Sequence, residues 1–398
     1  MDHIAVIGAG QAGATLVETL RKQGYAGRLT LWGAEDALPY QRPPLSKAYL
    51  LGEMERERLQ LRPRSFYDTQ NVELRLGTRI DALDPAAMTL THADGTEVFD
   101  AAVLATGSTP NTLPDRCTGG LPGTHVIRTL ADIDRLRPEM VAGKRMLVVG
   151  GGYIGLEAAA VARKIGLEVV LVELNVRLLG RVACKPTADW FRALHREHGV
   201  DIREGVGLDT LLGDGRIEGA RLTDGTELPV DLVIAGIGAR PETTLADAAG
   251  LTIDDGIAVD ARGRTSAPGI WAAGDCASFP VGDARARLES VPNAIDMAEV
   301  VARNLMGAEE DYVPRPWFWS DQYDVKLQIA GLNAGFDDIV VRDGDGRSHW
   351  YFAGDRLLAV DAMNDARAYM VGKRLIEARR SPDKAAVADG TAPVKSLM

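Results

Sequence analysis

The chain has 398 residues, of which 46% are hydrophobic and 25% are charged. Both fractions are ordinary for globular proteins, so the composition excludes disordered, collagenous and fibrous classes, and the length predicts two or three domains. The formal net charge of −11 argues against a partner with nucleic-acid phosphates or an anionic membrane surface.

The N-terminal segment predicts a dinucleotide-binding βαβ unit. An apolar run, His3–Ile7, is followed by a glycine-rich turn at residues 8–13, by helical spacing over 14–22 and by a second apolar run at 29–32. A Gly-x-Gly-x-x-Gly turn between a strand and a helix directs backbone N–H groups and the helix dipole at a pyrophosphate. The ribose carboxylate must then come from Glu35 or Asp36.

The same pattern returns in the middle of the chain. The run Arg145–Val149 leads into a second glycine turn at 150–155, a helix to about 164 and a strand that ends at Glu173. A carboxylate at this position accepts hydrogen bonds from both ribose hydroxyls and repels a 2′-phosphate. The sequence therefore predicts a preference for NADH over NADPH.

Two similar units indicate two dinucleotides, and the natural pair is a permanently held flavin and an exchanging nicotinamide. Beyond residue 313 the pattern changes to short strand-like runs, a helix over 365–378, and a polar tail from Ser381 that we expect on the surface. We predict an α/β protein with two Rossmann-like domains and a C-terminal α+β domain. The FAD-binding domain is 1–109 with 239–313, the NADH-binding domain is 110–238, and the third domain is 314–398.

Five segments carry a resemblance to a known family: residues 40–47 (Tyr-Gln-Arg-Pro-Pro-Leu-Ser-Lys), 105–107, 269–275, 289–294 and 316–323. In that order they resemble the signatures of FAD-containing pyridine-nucleotide oxidoreductases. The fit is strongest to NADH-dependent ferredoxin reductases of bacterial oxygenase systems, especially the putidaredoxin-reductase-like enzymes that serve cytochromes P-450. The resemblance implies a glutathione-reductase-like FAD/NAD flavoprotein.

Relatives usually carry Asp or Glu where this chain has Ala34, so the chain departs from the family at this position and the FAD ribose contact falls to Glu35 or Asp36. The FAD contacts expected from the turn and the resemblance are Gly8, Gly10, Ala12, Gly13, Glu35, Arg42, Lys47, Ile80, Ala105, Thr106, Gly107, Arg128, Asp275 and Val291. The NADH contacts expected in the same way are Gly150, Gly152, Tyr153, Ile154, Gly155, Glu157, Glu173 and Gly238.

The resemblance also implies three catalytic residues. Lys47 and Glu157 would form a pair beside the flavin, holding positive charge near the atom that accepts hydride. Alternatively, Glu157 is an acid favoured by the dipole in the first turn of its helix. Trp319 would lie near the nicotinamide, with Trp317 structural, although both aromatic residues could simply pack a domain interface.

Metal and disulfide chemistry is not expected. His195 and His198 offer only two ligands, so we expect a solvated helix face. The cysteines Cys117, Cys184 and Cys276 lie far apart, which predicts free, buried thiols in a reducing compartment. With no basic leader and no long apolar run, the sequence predicts a soluble cytoplasmic protein.

The leading hypothesis is a reductase that takes a hydride from NADH onto FAD and passes single electrons to a 2Fe-2S ferredoxin supplying a cytochrome P-450 monooxygenase. One alternative is a reductase for a dioxygenase ferredoxin or a rubredoxin. Another is a redox-sensing binding protein of the apoptosis-inducing-factor type. Disulfide reductases and peroxidases of this fold are disfavoured, because they need a cysteine soon after residue 35 and none precedes Cys117.

The partner surface is expected to be a local basic patch. Ferredoxins of this class are generally acidic, so a protein of net charge −11 must attract them through local charge. The candidates are Arg56, Arg58, Arg62, Arg64, Arg285, Arg287 and Arg303.

Overall fold

The computed structural model describes residues 1–344 and 346–398 of the chain. Its internal contacts define two compact units. The first comprises Met1–Gln41, Arg56–Thr109 and Ala239–Pro316, and the second comprises Arg42–Glu55, Pro110–Gly238 and Trp317–Met398. The segment Arg42–Glu55, which the predicted FAD-binding domain contained, thus groups with the second unit.

A five-stranded parallel sheet forms the centre of the first unit. Its strands, in spatial order, are Ile270–Ala272, Ala101–Leu104, His3–Ile7, Arg28–Gly33 and Val72–Leu76. The central strands are continuous apolar runs and are buried, as a parallel sheet covered on both faces requires. Helices Gln11–Lys22 and Val291–Leu305 pack against each other in this unit.

Smaller elements complete the first unit. One antiparallel sheet contains Ile80–Asp84, Thr89–His92 and Gly95–Val98, and another small sheet contains Ile257–Ala258, Ala277–Val281 and Ala284–Ala286. The remaining elements are the helices Arg64–Thr69 and Thr244–Ala248 and the 3-10 helix Arg56–Leu59. The short strands Ser108–Pro110 and Ala239–Pro241 lie at the chain crossings between units.

The second unit repeats the arrangement of the first. Its parallel sheet has the spatial order Thr124–His125, Leu232–Ala235, Arg145–Val149, Glu168–Glu173 and Val200–Glu204. Each strand matches its counterpart in the first sheet, so the prediction of two Rossmann-like folds is confirmed. The other elements are the helices Asp115–Thr118, Leu130–Leu136, Tyr153–Ile165 and Lys185–Glu197, the strands Leu208–Leu212, Gly219–Leu222 and Glu227–Pro229, and the 3-10 helices Pro43–Ser46 and Arg137–Glu139.

The C-terminal segment of the second unit is an antiparallel sheet covered by a helix. The strands, in spatial order, are Trp317–Gln322, Val325–Gly331, Arg356–Met363, Arg347–Ala353 and Asp338–Asp343, and the helix is Ala366–Glu377. The predicted helix over 365–378 is confirmed, with Asp365 as its N-cap.

The prediction that the tail lies on the surface is wrong in part. After Ser381 the chain forms a helix, Lys384–Ala388, and a 3-10 helix, Val394–Leu397. Val387 is fully buried and Leu397 is nearly so, because both complete the apolar core between the sheet and its helix. Two apolar residues in a polar tail are enough to anchor it.

None of the helices in the described residues combines the length and apolar character needed to cross a membrane.

The glycine turns are dictated by close backbone approach. A Cβ on Gly8 would lie 2.1 Å from the carbonyl oxygen of Ala105, and one on Gly150 would lie 2.4 Å from that of Gly236. The third glycine of each turn is equally crowded, since a Cβ on Gly155 would lie 2.1 Å from the Gly150 carbonyl oxygen. These positions admit no side chain unless the backbone shifts.

The crowding predicts different outcomes for two substitutions in one turn. Gly155→Ala should lower the free energy of unfolding of the protein by about 1–3 kcal/mol, the usual scale of overpacking. The matched control is Gly152→Ala, whose Cβ would meet no atom within 4 Å. The unfolding free energy of this variant should therefore fall by less than about 1 kcal/mol. Urea unfolding followed by circular dichroism measures both, and equal losses in the two variants would contradict the steric assignment.

Candidate functional site

Each glycine turn leads into the N-terminus of a helix whose first backbone N–H groups have no side-chain cap. Gly10 and Gly152 are the N-caps of helices Gln11–Lys22 and Tyr153–Ile165, and neither helix has a side-chain cap. A Cβ on either glycine would meet nothing within 4 Å. The N–H groups of each first turn therefore face open space at the positive end of a helix dipole, which fits a dinucleotide pyrophosphate in each unit.

Several predicted FAD contacts gather around the first turn. The loop residue Gly274 approaches the first helix so closely that a Cβ there would lie 3.0 Å from the Cβ of Ala12. Asp275 follows it, and its Oδ2 accepts a hydrogen bond of 3.1 Å from Ser108. The structure thus places Asp275 beside the start of the first dinucleotide helix.

The other predicted contacts in this unit lie at element ends. Ala105 provides the carbonyl against which Gly8 packs, and Thr106 Oγ1 donates a 2.6 Å hydrogen bond to the carbonyl of Glu242. The Gly107 carbonyl accepts the Glu242 N–H. Ile80 begins the strand Ile80–Asp84 and is buried, and Val291 begins the helix Val291–Leu305.

Strand register shows which residue of the first unit corresponds to Glu173. Ile7 pairs with Trp32, and Val149 pairs with Val172, so Gly33 occupies the position that Glu173 holds in the second unit. A Cβ on Gly33 would lie 2.8 Å from the Cβ of Ala9. The first unit therefore has no room for an acid at this position.

Glu35, two residues farther on, is the acid that the first turn offers instead. Its Oε2 accepts a 2.7 Å hydrogen bond from the Tyr40 hydroxyl. In the second unit Gly151 stands where the first has Ala9, and the missing methyl leaves space for the Glu173 side chain.

Glu173 is held by three N–H donors. Its Oε2 accepts the Gly151 amide at 2.8 Å, and its Oε1 accepts the backbone and side-chain N–H groups of Asn175 at 2.8 and 2.6 Å. Asn175 was not identified from the sequence; an amide side chain two residues after a strand-ending acid was the available signal.

Three predicted residues of the second unit also find partners. The Arg42 guanidinium donates a 2.6 Å hydrogen bond to the backbone carbonyl of Arg128, which brings these two expected FAD contacts together. Gly238 has a φ of +90°, and its carbonyl accepts the Asn111 amide at 2.9 Å. Ile154, beside Gly155, is one of the exposed apolar side chains.

Lys47 and Glu157 form an ion pair in which Glu157 is buried and Lys47 is partly exposed. The Lys47 Nζ lies 2.7 Å from the Glu157 Oε2, and only 2% of the Glu157 side chain is exposed. Glu157 is the fifth residue of a helix that begins at Tyr153, not a first-turn residue. The dipole alternative is therefore weak, since that effect fades within the first turn.

Two serine hydroxyls complete the coordination of Glu157. Ser46 donates to Oε2 at 2.5 Å and Ser320 donates to Oε1 at 2.6 Å. Both serines are buried. A carboxylate out of water needs such donors, because each unpaired oxygen would retain most of its desolvation penalty.

One face of the strand Trp317–Gln322 supplies these contacts. Side chains alternate along a strand, so Phe318, Ser320 and Gln322 share a face. Phe318 packs on the ring of Tyr153 with centroids 4.7 Å apart, and Ser320 reaches Glu157 one helical turn later.

Trp317 and Trp319 share the opposite face and stack, with ring centroids 5.5 Å apart. Trp317 also lies under the Lys373 ammonium, at 5.1 Å, and contacts Tyr369 on the covering helix. These contacts give Trp317 a packing role within the C-terminal segment. Trp319 has no such helix contact among the described aromatic and cation pairs.

The expectation of a solvated helix face at His195 is wrong. His195 is fully buried, and its Nε2 lies 2.8 Å from the Gln322 Oε1. Burial lowers the pKa of His195 to about 4, so the ring is neutral at physiological pH. His198 stacks on Tyr323 with centroids 3.6 Å apart.

A buried cluster brings together Cys184, His349 and Asp361, whose ligand atoms lie within 4.8 Å of one another. The hydroxyl of Thr187 fills its middle, 2.7 Å from both the His349 Nδ1 and the Asp361 Oδ2. Arg347 donates to the His349 Nε2 at 3.1 Å, which leaves the proton on the nitrogen that a metal would need. The cluster is therefore arranged as a hydrogen-bond network.

The candidate docking arginines differ in their pairing. Arg62 pairs with Glu18, Arg287 with Glu289 and Asp255, Arg303 with Glu310, and Arg285 bonds backbone carbonyls and Ser278. In residues 1–344 and 346–398, no ion pair involves Arg56, Arg58 or Arg64, and all three are exposed. Of the candidate arginines, these three therefore have no acidic partner among the described residues.

Comparison with protein families gives two matches along the chain. Residues 2–298 match the pyridine nucleotide-disulphide oxidoreductase family, and residues 317–398 match the reductase C-terminal family. The first match covers most of the chain.

Individual relatives match over nearly full length. A ferredoxin–NAD(P)(+) reductase of a Sphingomonas species is 42% identical, over 99% of this chain and 97% of its own. The ferredoxin–NAD(+) reductase component of the p-cumate 2,3-dioxygenase system of Pseudomonas putida is 39% identical, over 99% and 98%.

Two solved structures are similarly close. The reductase in the covalent putidaredoxin reductase–putidaredoxin complex superimposes with a TM-score of 0.96 at 39% identity, covering 100% of this chain and 98% of that one. The ferredoxin reductase for the CYP199A2 system of Rhodopseudomonas palustris gives a TM-score of 0.96 at 38% identity, covering 100% and 99%.

The buried cluster generates a pH prediction. Burial raises the pKa of the Asp361 carboxyl to about 6, and its Oδ1 has no hydrogen-bond partner among the described residues. Because the folded-state pKa is raised, the stability linked to this group is present below about pH 4 and is lost as pH rises through 6. From pH 4.5 to 7.5 that loss should be about 2 kcal/mol.

Asp361→Asn removes the titration and keeps the shape. The difference in unfolding free energy between the native protein and this variant should therefore change by about 2 kcal/mol between pH 4.5 and 7.5. Urea unfolding at the two pH values measures it. A difference that stays constant with pH would show that Asp361 does not titrate in this range.

Proposed function

The chain belongs to the pyridine nucleotide-disulphide oxidoreductase family, and we propose that it is an FAD-dependent NADH:ferredoxin reductase. The observation that carries the proposal is the Lys47–Glu157 pair, in which Glu157 is buried one helical turn after the start of the helix Tyr153–Ile165. It places a fixed cation in the unit whose open helix N-terminus suits a nicotinamide dinucleotide.

FAD, when bound, accepts a hydride from NADH and returns its electrons singly to a 2Fe-2S centre. The residues of this protein are proposed to bind and orient FAD and NADH. Gly8, Gly10 and Gly13 are proposed to let the FAD pyrophosphate approach the uncapped N-terminus of the helix Gln11–Lys22, and Glu35 is the proposed ribose ligand. Glu173 is proposed to bind the NADH ribose in the second unit.

Lys47 is proposed to direct its ammonium at the flavin ring, and Glu157 to hold that ammonium in place. A fixed charge stabilises developing negative charge without the reorganisation that water would need. Trp319 is proposed to cover the nicotinamide side of the ring. No residue of the chain acts as a covalent nucleophile in this scheme, and Cys117, Cys184 and Cys276 are free and buried.

The physiological partner is proposed to be a 2Fe-2S ferredoxin that supplies a cytochrome P-450. The segments 289–294 and 316–323 support this choice over a dioxygenase ferredoxin, although relatives named for either system are comparably similar. A cytoplasmic location is part of the proposal, and the three free cysteines are in keeping with a reducing compartment.

The alternative is an NADH-responsive binding protein of the apoptosis-inducing-factor type. The two functions differ in turnover. Sustained reduction of ferricyanide and of an added 2Fe-2S ferredoxin by excess NADH supports the reductase. A single, stoichiometric reduction of the flavin without turnover would support the sensor.

NADH should be preferred to NADPH by at least about tenfold in kcat/KM, which is about 1.4 kcal/mol. The Glu173 carboxylate accepts ribose hydroxyls in one case and meets a phosphate in the other. Glu173→Ala should reduce this ratio to a few-fold. Steady-state ferricyanide reduction with both nucleotides measures it, and equal use of NADH and NADPH by the native protein would contradict the assignment.

Charge reversal should separate the unpaired arginines from the paired ones. Arg64→Glu should raise the KM for a 2Fe-2S ferredoxin several-fold and leave the KM for NADH unchanged, because Arg64 is unpaired among the described residues. The effect should weaken as salt shortens the Debye length below about 10 Å.

Arg287→Glu is the matched control, since Arg287 is already neutralised by Glu289 and Asp255. It should change the ferredoxin KM less than Arg64→Glu does. The reverse order would move the docking surface away from Arg56, Arg58 and Arg64.

A further inference from the structure

The Glu157 carboxylate is the end of a longer hydrogen-bond chain. We infer that Ser320, Gln322, His195 and Tyr323 are positioning residues that set how much negative charge Glu157 presents to Lys47, and so tune the reduction potential of the bound flavin. This rests on the proposed function, which puts Lys47 beside the flavin ring.

The links of the chain are short and buried. Ser320 donates to the Glu157 Oε1 at 2.6 Å, and the Gln322 Nε2 donates to the Ser320 Oγ at 3.1 Å. His195 lies 2.8 Å from the Gln322 Oε1, and the Tyr323 hydroxyl lies 3.3 Å from the His195 Nδ1. Ser320, Gln322 and His195 are all fully buried.

The acceptors fix the direction of every link. The Gln322 Oε1 can only accept, so the proton of the neutral His195 ring is on Nε2. His195 Nδ1 then accepts from Tyr323. Each group donates toward the next, from Tyr323 through His195, Gln322 and Ser320 to Glu157.

A chain of aligned donors polarises cooperatively, and its positive end lies at Glu157. It does not conduct protons, because the Gln322 amide would have to give up an N–H and receive it back on oxygen. Its effect is electrostatic: donors that share the carboxylate's negative charge leave more of the Lys47 charge uncompensated.

Tyr323 occupies a strained backbone conformation to complete the chain. Its φ is +56°, in the two-residue turn between the strands Trp317–Gln322 and Val325–Gly331. A bulky residue in this region costs of order 1–2 kcal/mol relative to glycine or asparagine. The ring is held there by stacking on His198 and by its bond to His195.

The charge on Lys47 and Glu157 sets the direction in which each variant should shift the midpoint potential of the flavin. A positive field favours the electron-rich form of the flavin, so loss of a donor onto Glu157 should make the potential more negative. Loss of the Lys47 charge should act in the same direction and more strongly, whereas Glu157→Gln should act in the opposite direction.

The test is the midpoint potential of FAD in the holoprotein, measured by equilibrium with a reference dye. Ser320→Ala should lower the FAD:dye equilibrium constant by about threefold, a fraction of the value of one hydrogen bond to a charged group. In the Glu157→Gln background the same change should have no effect, because the acceptor charge is gone.

Ser348→Ala is the matched control. Ser348 is another fully buried serine of the same sheet. It accepts a hydrogen bond from the Trp350 Nε1 and is not part of the hydrogen-bond chain that ends at Glu157. Its variant should keep the native potential. Should Ser320→Ala fail to fold, His195→Leu should lower the potential in the same direction, and His195→Gln, which retains an N–H donor, should restore most of it.

The measured potentials distinguish a wrong placement of Lys47 from a wrong role for the hydrogen-bond chain. Native potentials in both Lys47→Met and Glu157→Gln would overturn the proposed placement of Lys47 beside the flavin, and this inference with it, while NADH-dependent turnover separately tests the proposed function. Shifts in those two variants, with a native potential in Ser320→Ala, would overturn the inference alone. An equal Ser320→Ala shift in the native and Glu157→Gln backgrounds would also overturn it, since the effect would then not pass through Glu157.

Discussion

The second unit is organised around one buried carboxylate. Glu157 is almost without solvent, and a charge in such a place is tolerated only when several donors surround it. Its donors come from two distant segments, Ser46 and Lys47 on one side and Ser320 on the other. The requirement to satisfy Glu157 therefore joins the segment Arg42–Glu55, the dinucleotide helix and the C-terminal sheet into one unit.

The same requirement explains where the strand Trp317–Gln322 directs its side chains. The face that carries Ser320 and Gln322 must cover the dinucleotide helix, so the two tryptophans are turned to the other face, where they stack. Trp317 packs on Tyr369 of the covering helix, whereas Trp319 contacts Trp317 and Phe318.

The fold was largely predictable, because its signals are local and the two dinucleotide units repeat them. The strands His3–Ile7 and Arg145–Val149 and their glycine turns are fixed by apolar runs and by backbone clashes that only glycine avoids. The tail was not predictable, because Val387 is one apolar residue in a polar segment, and its burial depends on a core formed by distant strands.

The candidate site was predictable only in part. The pairing of Lys47 with Glu157 could be predicted by resemblance. The hydrogen-bond chain that runs through Gln322 to His195 could not be predicted. On its helix His195 is followed by Arg196 and Glu197, which favour solvent. Its burial is decided by an amide more than a hundred positions away, so no pattern within the helix indicates it. The lack of room for an acid at Gly33 likewise depends on the close approach of Gly33 to Ala9, which no local pattern indicates.

The central claim is that this chain moves electrons from NADH through FAD to an iron-sulfur protein. Its most direct test is an anaerobic titration of the purified holoprotein, followed by its absorption spectrum. We expect one equivalent of NADH to bleach one equivalent of bound FAD. Two equivalents of an oxidised 2Fe-2S ferredoxin should then restore the flavin spectrum as they are reduced. Protein that binds no FAD after reconstitution would contradict this electron path. So would bleached flavin that no 2Fe-2S ferredoxin can reoxidise.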